Sequence, residues 1–113
     1  KLKSGIKNIL DRRGIVHSFS GHSSMFGLFF APKPPIDYRA WKRSDYTFYD
    51  KMAYHLHDMG IICEPDSREP WFICEAHAQD DCLAQTLAAF ERAVDITIEK
   101  LEYDKPENRA VSA

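Results

Sequence analysis

Apolar residues recur along the chain with two periods, and these periods predict its helices and strands. Spacings of three and four residues predict amphipathic helices over three segments: residues 2–13, 45–59 and 79–101. Shorter apolar runs, bounded by glycine, proline and polar residues, predict strands over four segments: residues 15–20, 25–31, 61–63 and 71–76. The resulting order, α-β-β-α-β-β-α, predicts an α+β fold with a small antiparallel sheet of about four strands and helices packed on one side.

Length and composition are those of one folded unit. The chain has 113 residues, of which 44% are hydrophobic, so we predict a domain over residues 1–103 followed by a flexible polar tail over 104–113. A net charge of −2 gives no general attraction to nucleic acid or to an anionic membrane. Since no apolar run is long enough to span a bilayer and no signal peptide is recognisable, a cytoplasmic location is expected.

Three cysteines, Cys63, Cys74 and Cys82, leave two interpretations. They could be reduced thiols in an apolar interior, or zinc ligands with His77 as the fourth. Structural zinc sites favour closely spaced ligand pairs, and the chain has no CxxC pair. Buried thiols and no metal site are therefore expected.

The polar loop between the last two predicted strands carries the candidate site. Pro65 and Pro70 bracket it, and each fixes a φ angle and lacks an N–H donor, so the loop has little backbone freedom. Arg68 and Glu69 lie between them and are the predicted substrate-binding residues. The guanidinium of Arg68 suits a substrate carboxylate through two parallel hydrogen bonds, although an ordinary ion pair that stabilises the loop remains an alternative.

Two further features precede this loop. Gly27 inside an apolar strand indicates a bulge, a close approach of another group or a local irregularity. Proline-rich residues 32–44 connect strand and helix and include Tyr38 and Trp41, which we expect to contact the core. A turn is predicted at residues 21–23.

The order of several short motifs resembles the C-terminal part of the class III aminotransferases, pyridoxal-phosphate enzymes of fold type I. The motifs are residues 24–30 (SMFGLFF), residues 60–62 (GII), Glu69, Phe72 and residues 76–77 (AH). Within that class, the pattern is most similar to glutamate-1-semialdehyde 2,1-aminomutase and its relatives. The resemblance covers about residues 1–101.

This resemblance implies a small C-terminal domain that packs beside a large domain and helps to close an active site. In such enzymes the Schiff-base lysine, the aspartate that pairs with the pyridine nitrogen and the phosphate-binding loop belong to the large domain. The resemblance therefore implies a fragment of a homodimeric parent enzyme, with pyridoxal 5'-phosphate bound by the large domain and an amino acid or amino aldehyde as substrate. No catalytic or cofactor-binding residue is expected in this chain, which alone should not be catalytically competent.

The resemblance also bears on individual residues. Glu69 matches the glutamate that reaches the active-site entrance in aminomutase-like members. Arg68 stands where the aminomutase pattern has an apolar residue, but some aminotransferases of the class clamp the substrate carboxylate with an arginine of this domain. Ser23 replaces a usual glycine. A stand-alone, non-catalytic α+β module for binding or dimerisation is the alternative function.

Overall fold

The protein folds as helices and a short antiparallel sheet. The structure, a computed structural model, describes residues 1–73, 77 and 81–104. Its elements in chain order are α1 (Leu2–Arg12), β1 (Ser18–His22), β2 (Met25–Phe29), α2 (Tyr38–Lys42), α3 (Tyr46–Asp58), β3 (Trp71–Phe72) and α4 (Cys82–Asp104). The predicted α+β class with an antiparallel sheet is confirmed, and the described residues contain three strands.

The sheet is a hairpin extended by one short strand. β2 lies in the middle and pairs antiparallel with β1 and with β3, so that Phe26 is opposite both Gly21 and Trp71. Because His22 pairs with Met25, the hairpin turn falls at residues 23–24, slightly later than predicted. Side chains alternate between the two faces of such a sheet, which fixes the face that each residue presents.

Among the described residues, the helices pack on one face of the sheet, as the sequence predicts, and leave Met25 and Phe72 exposed on the other. On the covered face, the ring of Phe26 lies 5.6 Å from that of Trp71, which in turn lies 6.3 Å from Phe90 of α4. On the opposite face, Met25 and Phe72 are 49% and 66% exposed. Burial of apolar area against the sheet is therefore the main stabilising contribution on one side only.

Three helices supply the rest of the core with their apolar stripes. The buried helical residues include Ile6, Ile9 and Leu10 of α1, Tyr49, Met52 and Leu56 of α3, and Phe90, Ala93 and Val94 of α4. Just after α1, the guanidinium of Arg13 donates to Asp95 of α4, with Nη2 3.0 Å from Oδ2. The helices thus meet around one interior, which supports a single core.

The predicted strand at residues 61–63 is wrong. Ile61 N donates to the Leu56 carbonyl at 2.9 Å, which continues the capping of α3. The Nε2 of His57 lies 2.6 Å from the Cys63 carbonyl, and since a carbonyl can only accept, this nitrogen carries the proton. The end of α3 therefore satisfies backbone groups that a strand would have paired in a sheet.

The structure also tests the predictions made for Gly27 and for the connector. Gly27 pairs with Ser20 in regular register, so the predicted bulge is wrong. A Cβ on Gly27 would lie only 2.8 Å from Ser20 Oγ, which confirms the predicted close approach of another group. The connector over residues 32–44 contains the short helix α2, which the sequence pattern did not predict. Residues 74–76 of the last predicted strand, and residues 105–113 of the predicted tail, lie outside the described residues.

Candidate functional site

Buried hydrogen bonds anchor the start of the loop over residues 64–70. The Tyr49 hydroxyl of α3 donates to the Glu64 carbonyl at 2.7 Å. The same oxygen accepts from Nε1 of Trp71 at 2.6 Å. Burial raises the pKa of Tyr49, so its hydroxyl keeps its proton at neutral pH and remains a donor. The loop is therefore fixed at its beginning to α3 and at its end to β3.

A second anchor holds the middle of the loop. Trp41 of α2 donates from Nε1 to Oγ of Ser67 at 2.8 Å, and Ser67 is only 3% exposed. A serine hydroxyl buried in this way needs a partner, and here the indole supplies it. Trp41 is half-buried and lies outside the hydrophobic core cluster, so the expectation that it contacts the core is wrong.

Arg68 follows this anchored serine and extends its side chain over the protein surface. Its Nε lies 3.1 Å from each carboxylate oxygen of Asp66, and its Nη2 lies 2.6 Å from Asp66 Oδ2. Its Cζ lies 4.8 Å from the centroid of the Trp41 ring. The hydrogen bond from Arg68 lowers the pKa of Asp66, while the same bond raises the pKa of Arg68. The loop therefore presents an ionised guanidinium that is already paired along one edge.

The backbone around this pair forms a tight turn. Asp66 Oδ1 accepts from the Arg68 backbone N–H at 2.9 Å, and the Asp66 carbonyl accepts from Glu69 N at 3.0 Å. An aspartate that bonds to the N–H two residues on is a common way to stabilise a turn. The side chain of Glu69 is exposed, and its charge contributes a small further rise to the pKa of Arg68. Arg68 and Glu69 are thus displayed side by side on a turn of fixed shape.

A carboxylate that the sequence pattern did not indicate also lies near the guanidinium. Asp50 of α3 is exposed, and its pKa is raised, chiefly by partial desolvation and next by the negative charge of Asp66, while Arg68 acts in the opposite sense. Tertiary folding alone brings it close, since 18 residues separate it from Arg68 in sequence. Arg68 therefore lies in a locally acidic environment.

A cleft of about 790 Å³ lies beside both ends of the loop, since Glu64 and Pro70 line it. Its lining includes Leu2, Ile61, Cys63, Trp71 and Leu83, whereas Arg68 and Glu69 are not part of it. Burial raises the pKa of the Cys63 thiol to about 11, so this thiol is protonated at neutral pH. The cleft is mainly apolar, and the predicted polar site is on the adjacent surface.

Neither a metal site nor a membrane-spanning helix is found among the described residues. Among these residues, no group of three or more His, Cys, Asp or Glu side chains could hold a metal ion. Cys63 and Cys82 are free, half-buried thiols, and Cys74 lies outside the described residues. Among the described helices, none is long and apolar enough to cross a membrane.

Comparison with known proteins gives a consistent set of relatives. No family model matches the chain. Glutamate-1-semialdehyde 2,1-aminomutase from Aquifex aeolicus is 34% identical over 80 residues, which are 71% of this chain and 19% of that protein. Glutamate-1-semialdehyde 2,1-aminomutase 2 from Bacillus velezensis is 34% identical over 91 residues, which are 80% of this chain and 21% of that protein. The chain is a relative of the glutamate-1-semialdehyde 2,1-aminomutases.

This relationship confirms the resemblance to the C-terminal small domain of class III aminotransferases. The aminomutase from Hydrogenobaculum sp. is 31% identical over 91 residues, or 80% of this chain and 21% of that protein. The chain spans about a fifth of the length of the curated aminomutases that it matches.

The structure explains which parts of the aminomutase-like pattern serve the fold. Phe26 and Leu28 of the SMFGLFF motif are buried in the core, and Gly27 between them is enclosed by Ser20 and Phe29. These residues specify the central strand of the sheet. Glu69, by contrast, is exposed on the loop and has no comparable role in packing.

Proposed function

We propose that this chain is the substrate-side domain of a pyridoxal-phosphate-dependent aminotransferase or aminomutase. In the complete enzyme Arg68 binds a carboxylate of an amino-acid-type substrate, and Glu69 orients the substrate or gates its entry. The domain also helps to close the active site against the large domain of a homodimeric, cytoplasmic enzyme. The relationship to aminomutases supports the class of enzyme, and the presentation of Arg68 on an anchored loop supports its role.

The geometry of Arg68 is suited to a reversible carboxylate contact. Asp66 occupies the edge of the guanidinium formed by Nε and Nη2. Within the described residues, Nη1 makes no hydrogen bond, so the outer edge formed by the two Nη atoms can still donate to a carboxylate in the fork geometry. The side chain is 52% exposed, which leaves that edge open to a ligand.

The described lysines do not fit the role of a cofactor lysine. A lysine that forms an imine is activated by a specific enclosed environment. Here Lys7 pairs with Asp11 on the surface at 2.6 Å, and Lys3 lies over the ring of Phe19. The other described lysines are exposed: Lys1, Lys33, Lys42, Lys51 and Lys100. In this proposal pyridoxal phosphate is therefore held by the large domain, and no step of its chemistry is assigned to this chain.

The test is a comparison of two amino donors in the complete enzyme that contains this chain. Arg68→Ala should raise KM for an amino-acid donor by about ten-fold or more, because a charge-assisted pair of hydrogen bonds is lost. The KM for a simple amine without a carboxylate should be unchanged. Arg68→Lys is the matched control, since it keeps the charge but loses the fork, and it should give an intermediate value. Equal effects of Arg68→Ala on both donors would exclude the carboxylate contact.

The exposed face of the sheet favours a second candidate, a non-catalytic module for binding or dimerisation. Phe72 and Met25 are adjacent on that face, and an exposed apolar patch of this kind often marks an interface. If this is the function, the chain should self-associate in sedimentation experiments, and Phe72→Thr should weaken the association without loss of fold. A chain that remains monomeric at high concentration would count against this candidate.

A further inference from the structure

Trp41 is the point at which the candidate loop meets the helices before it. One end of the indole donates to Ser67, the residue that precedes Arg68 in the chain. The face of the same indole lies under the guanidinium, with Arg68 Cζ 4.8 Å from the ring centroid. A single side chain therefore contacts both the side chain of the residue before Arg68 and the charged group itself.

The indole is itself held in place by its neighbours. The ring of Tyr46 stacks on it, with centroids 4.7 Å apart and planes 22° from parallel, and the ring of Tyr38 lies 5.6 Å away. The backbone carbonyl of Trp41 accepts from the hydroxyl of Ser44 at 2.6 Å, and Ser44 is 7% exposed. Asp37 caps the short helix by accepting from Ala40 N at 2.8 Å. The orientation of Trp41 is thus fixed independently of the loop.

These contacts determine how the guanidinium faces solvent. A guanidinium that stacks on an indole lies against its π-face, and the attraction is mainly electrostatic. Asp66 then fixes the rotation of the group by binding its Nε edge. An arginine on an exposed turn would otherwise lose much side-chain entropy when it binds a ligand, and this loss is smaller for a group that is already ordered.

We propose that Trp41 is a positioning residue that holds Arg68 with its outer Nη edge directed at the substrate carboxylate. This inference rests on the proposed function, because it concerns the same carboxylate contact. Trp41 itself touches no reacting atom. It acts through Arg68, by the contact of its ring face with the guanidinium and by its hydrogen bond to Ser67.

A purely structural role for Trp41 predicts different behaviour. If the indole only stabilised the loop, its removal would lower the melting temperature and affect every substrate alike. A positioning role requires an effect on substrates that carry a carboxylate, and only while Arg68 is present. The two roles are therefore separated by substrate choice and by a double-mutant cycle.

The experiment uses the complete enzyme and the two donors described above. Trp41→Leu should raise KM for the amino-acid donor by about two- to five-fold, the factor that an exposed cation–π contact corresponds to, with kcat nearly unchanged. The KM for the simple amine should stay the same. Trp41→Phe, which keeps an aromatic face but loses the donor to Ser67, should recover part of the affinity. Tyr54→Leu removes an exposed aromatic of α3 that is 70% exposed and is the matched control, for which no effect is expected.

The decisive comparison is made in an Arg68→Ala background. There Trp41→Leu should add nothing to KM for the amino-acid donor. A further increase in that background, or equal increases for both donors in the enzyme with Arg68 intact, would overturn the positioning role while leaving the role of Arg68 in place. If Arg68→Ala alone does not separate the two donors, the carboxylate contact itself is refuted, and the positioning role with it.

Discussion

The hydroxyl of Tyr49 joins two parts of the chain that are distant in sequence, and its removal is a strict test of the first anchor. Tyr49→Phe deletes one oxygen and leaves the ring in its buried position. The oxygen accepts from Trp71 Nε1 at 2.6 Å and donates to the Glu64 carbonyl at 2.7 Å. Both partners lose their bond in the variant, and Trp71, which is 6% exposed, cannot replace it with water without rearrangement.

The size of the effect follows from these burials. A buried donor left without an acceptor costs about 1–3 kcal/mol, and the second, less buried hydrogen bond contributes about 0.5–1.5 kcal/mol. We therefore expect Tyr49→Phe to lower the free energy of unfolding of the chain by about 2–4 kcal/mol. For a domain of this size that corresponds to a fall in melting temperature of roughly 8–15 °C.

The assay is urea unfolding of the 113-residue chain, followed by tryptophan fluorescence. Tyr54→Phe is the control, since Tyr54 is on the same helix and 70% exposed, and its free energy of unfolding should change by less than about 0.5 kcal/mol. Equal losses in the two variants would refute the reasoning, because the hydroxyl of Tyr49 would then have no special role.

The pH dependence of this contribution has a definite sign. Burial raises the pKa of Tyr49 in the folded protein. The unfolded chain therefore releases the phenolic proton first, so the contribution is complete below a pH of about 10, the ordinary tyrosine pKa, and declines as the pH rises further. The difference in unfolding free energy between the wild type and Tyr49→Phe should accordingly shrink above that pH, and a difference that grows would contradict the burial of the hydroxyl.

Two further predictions concern the hairpin and the cleft. Gly21 has φ +80°, and a Cβ there would lie 2.5 Å from the Met25 carbonyl oxygen, so Gly21→Ala should lower the free energy of unfolding by about 2–4 kcal/mol. Gly14 has φ +66°, but a Cβ there would meet no atom within contact distance, so Gly14→Ala should lower it by only about 1 kcal/mol. Similar losses in thermal unfolding would contradict the close approach. Burial raises the pKa of the Cys63 thiol to about 11 from the ordinary 9.0, which reduces its thiolate fraction at pH 7.5 about a hundred-fold. Since a more basic thiolate is also more nucleophilic, alkylation of Cys63 by iodoacetamide should be about ten-fold slower than in the urea-unfolded chain, as measured by mass spectrometry of that site. A rate for Cys63 equal to that of the unfolded chain would contradict the raised pKa of the thiol.

Much of the fold could be predicted because apolar periodicity reports burial directly. In α3, Tyr49, Met52 and Leu56 recur on one side of the helix and are buried in the structure. The apolar strand of the hairpin is predictable for the same reason, because side chains alternate between the two faces of a strand and Phe26 and Leu28 are both buried on the core side. Periodicity failed where a short apolar run has no strand partner. Ile62 belongs to such a run and is 89% exposed, because the end of α3 binds the backbone on either side of it.

The loop over residues 64–70 could be predicted only in part. Its prolines and its charged residues are visible in the sequence, and these led to Arg68 and Glu69. The contacts that fix it are not visible, because Trp41 meets Ser67 and Trp71 meets Tyr49 across 26 and 22 residues. No local pattern encodes a hydrogen bond between side chains at such separations, since the bond depends on how complete elements pack. Asp66 and Arg68 are close in sequence, but the pairing of Arg68 with Asp66 instead of another carboxylate depends on the shape of the turn, which the anchors fix.

The two anchors of the loop differ in burial, and this difference separates stability from function. The anchor formed by Tyr49 and Trp71 lies inside the core, so its loss should mainly lower the free energy of unfolding. The anchor formed by Trp41 is half-buried. Its loss leaves the buried hydroxyl of Ser67 without its donor, whereas its other contact, with Arg68 at the surface, contributes little to stability. Because Trp41→Leu breaks one such hydrogen bond and Tyr49→Phe breaks two, Trp41→Leu should lower the free energy of unfolding less, and it should change substrate discrimination, which Tyr49→Phe should leave largely unchanged. If both variants lowered stability to the same degree and left discrimination intact, the loop would be a folded surface turn and not a substrate-binding element.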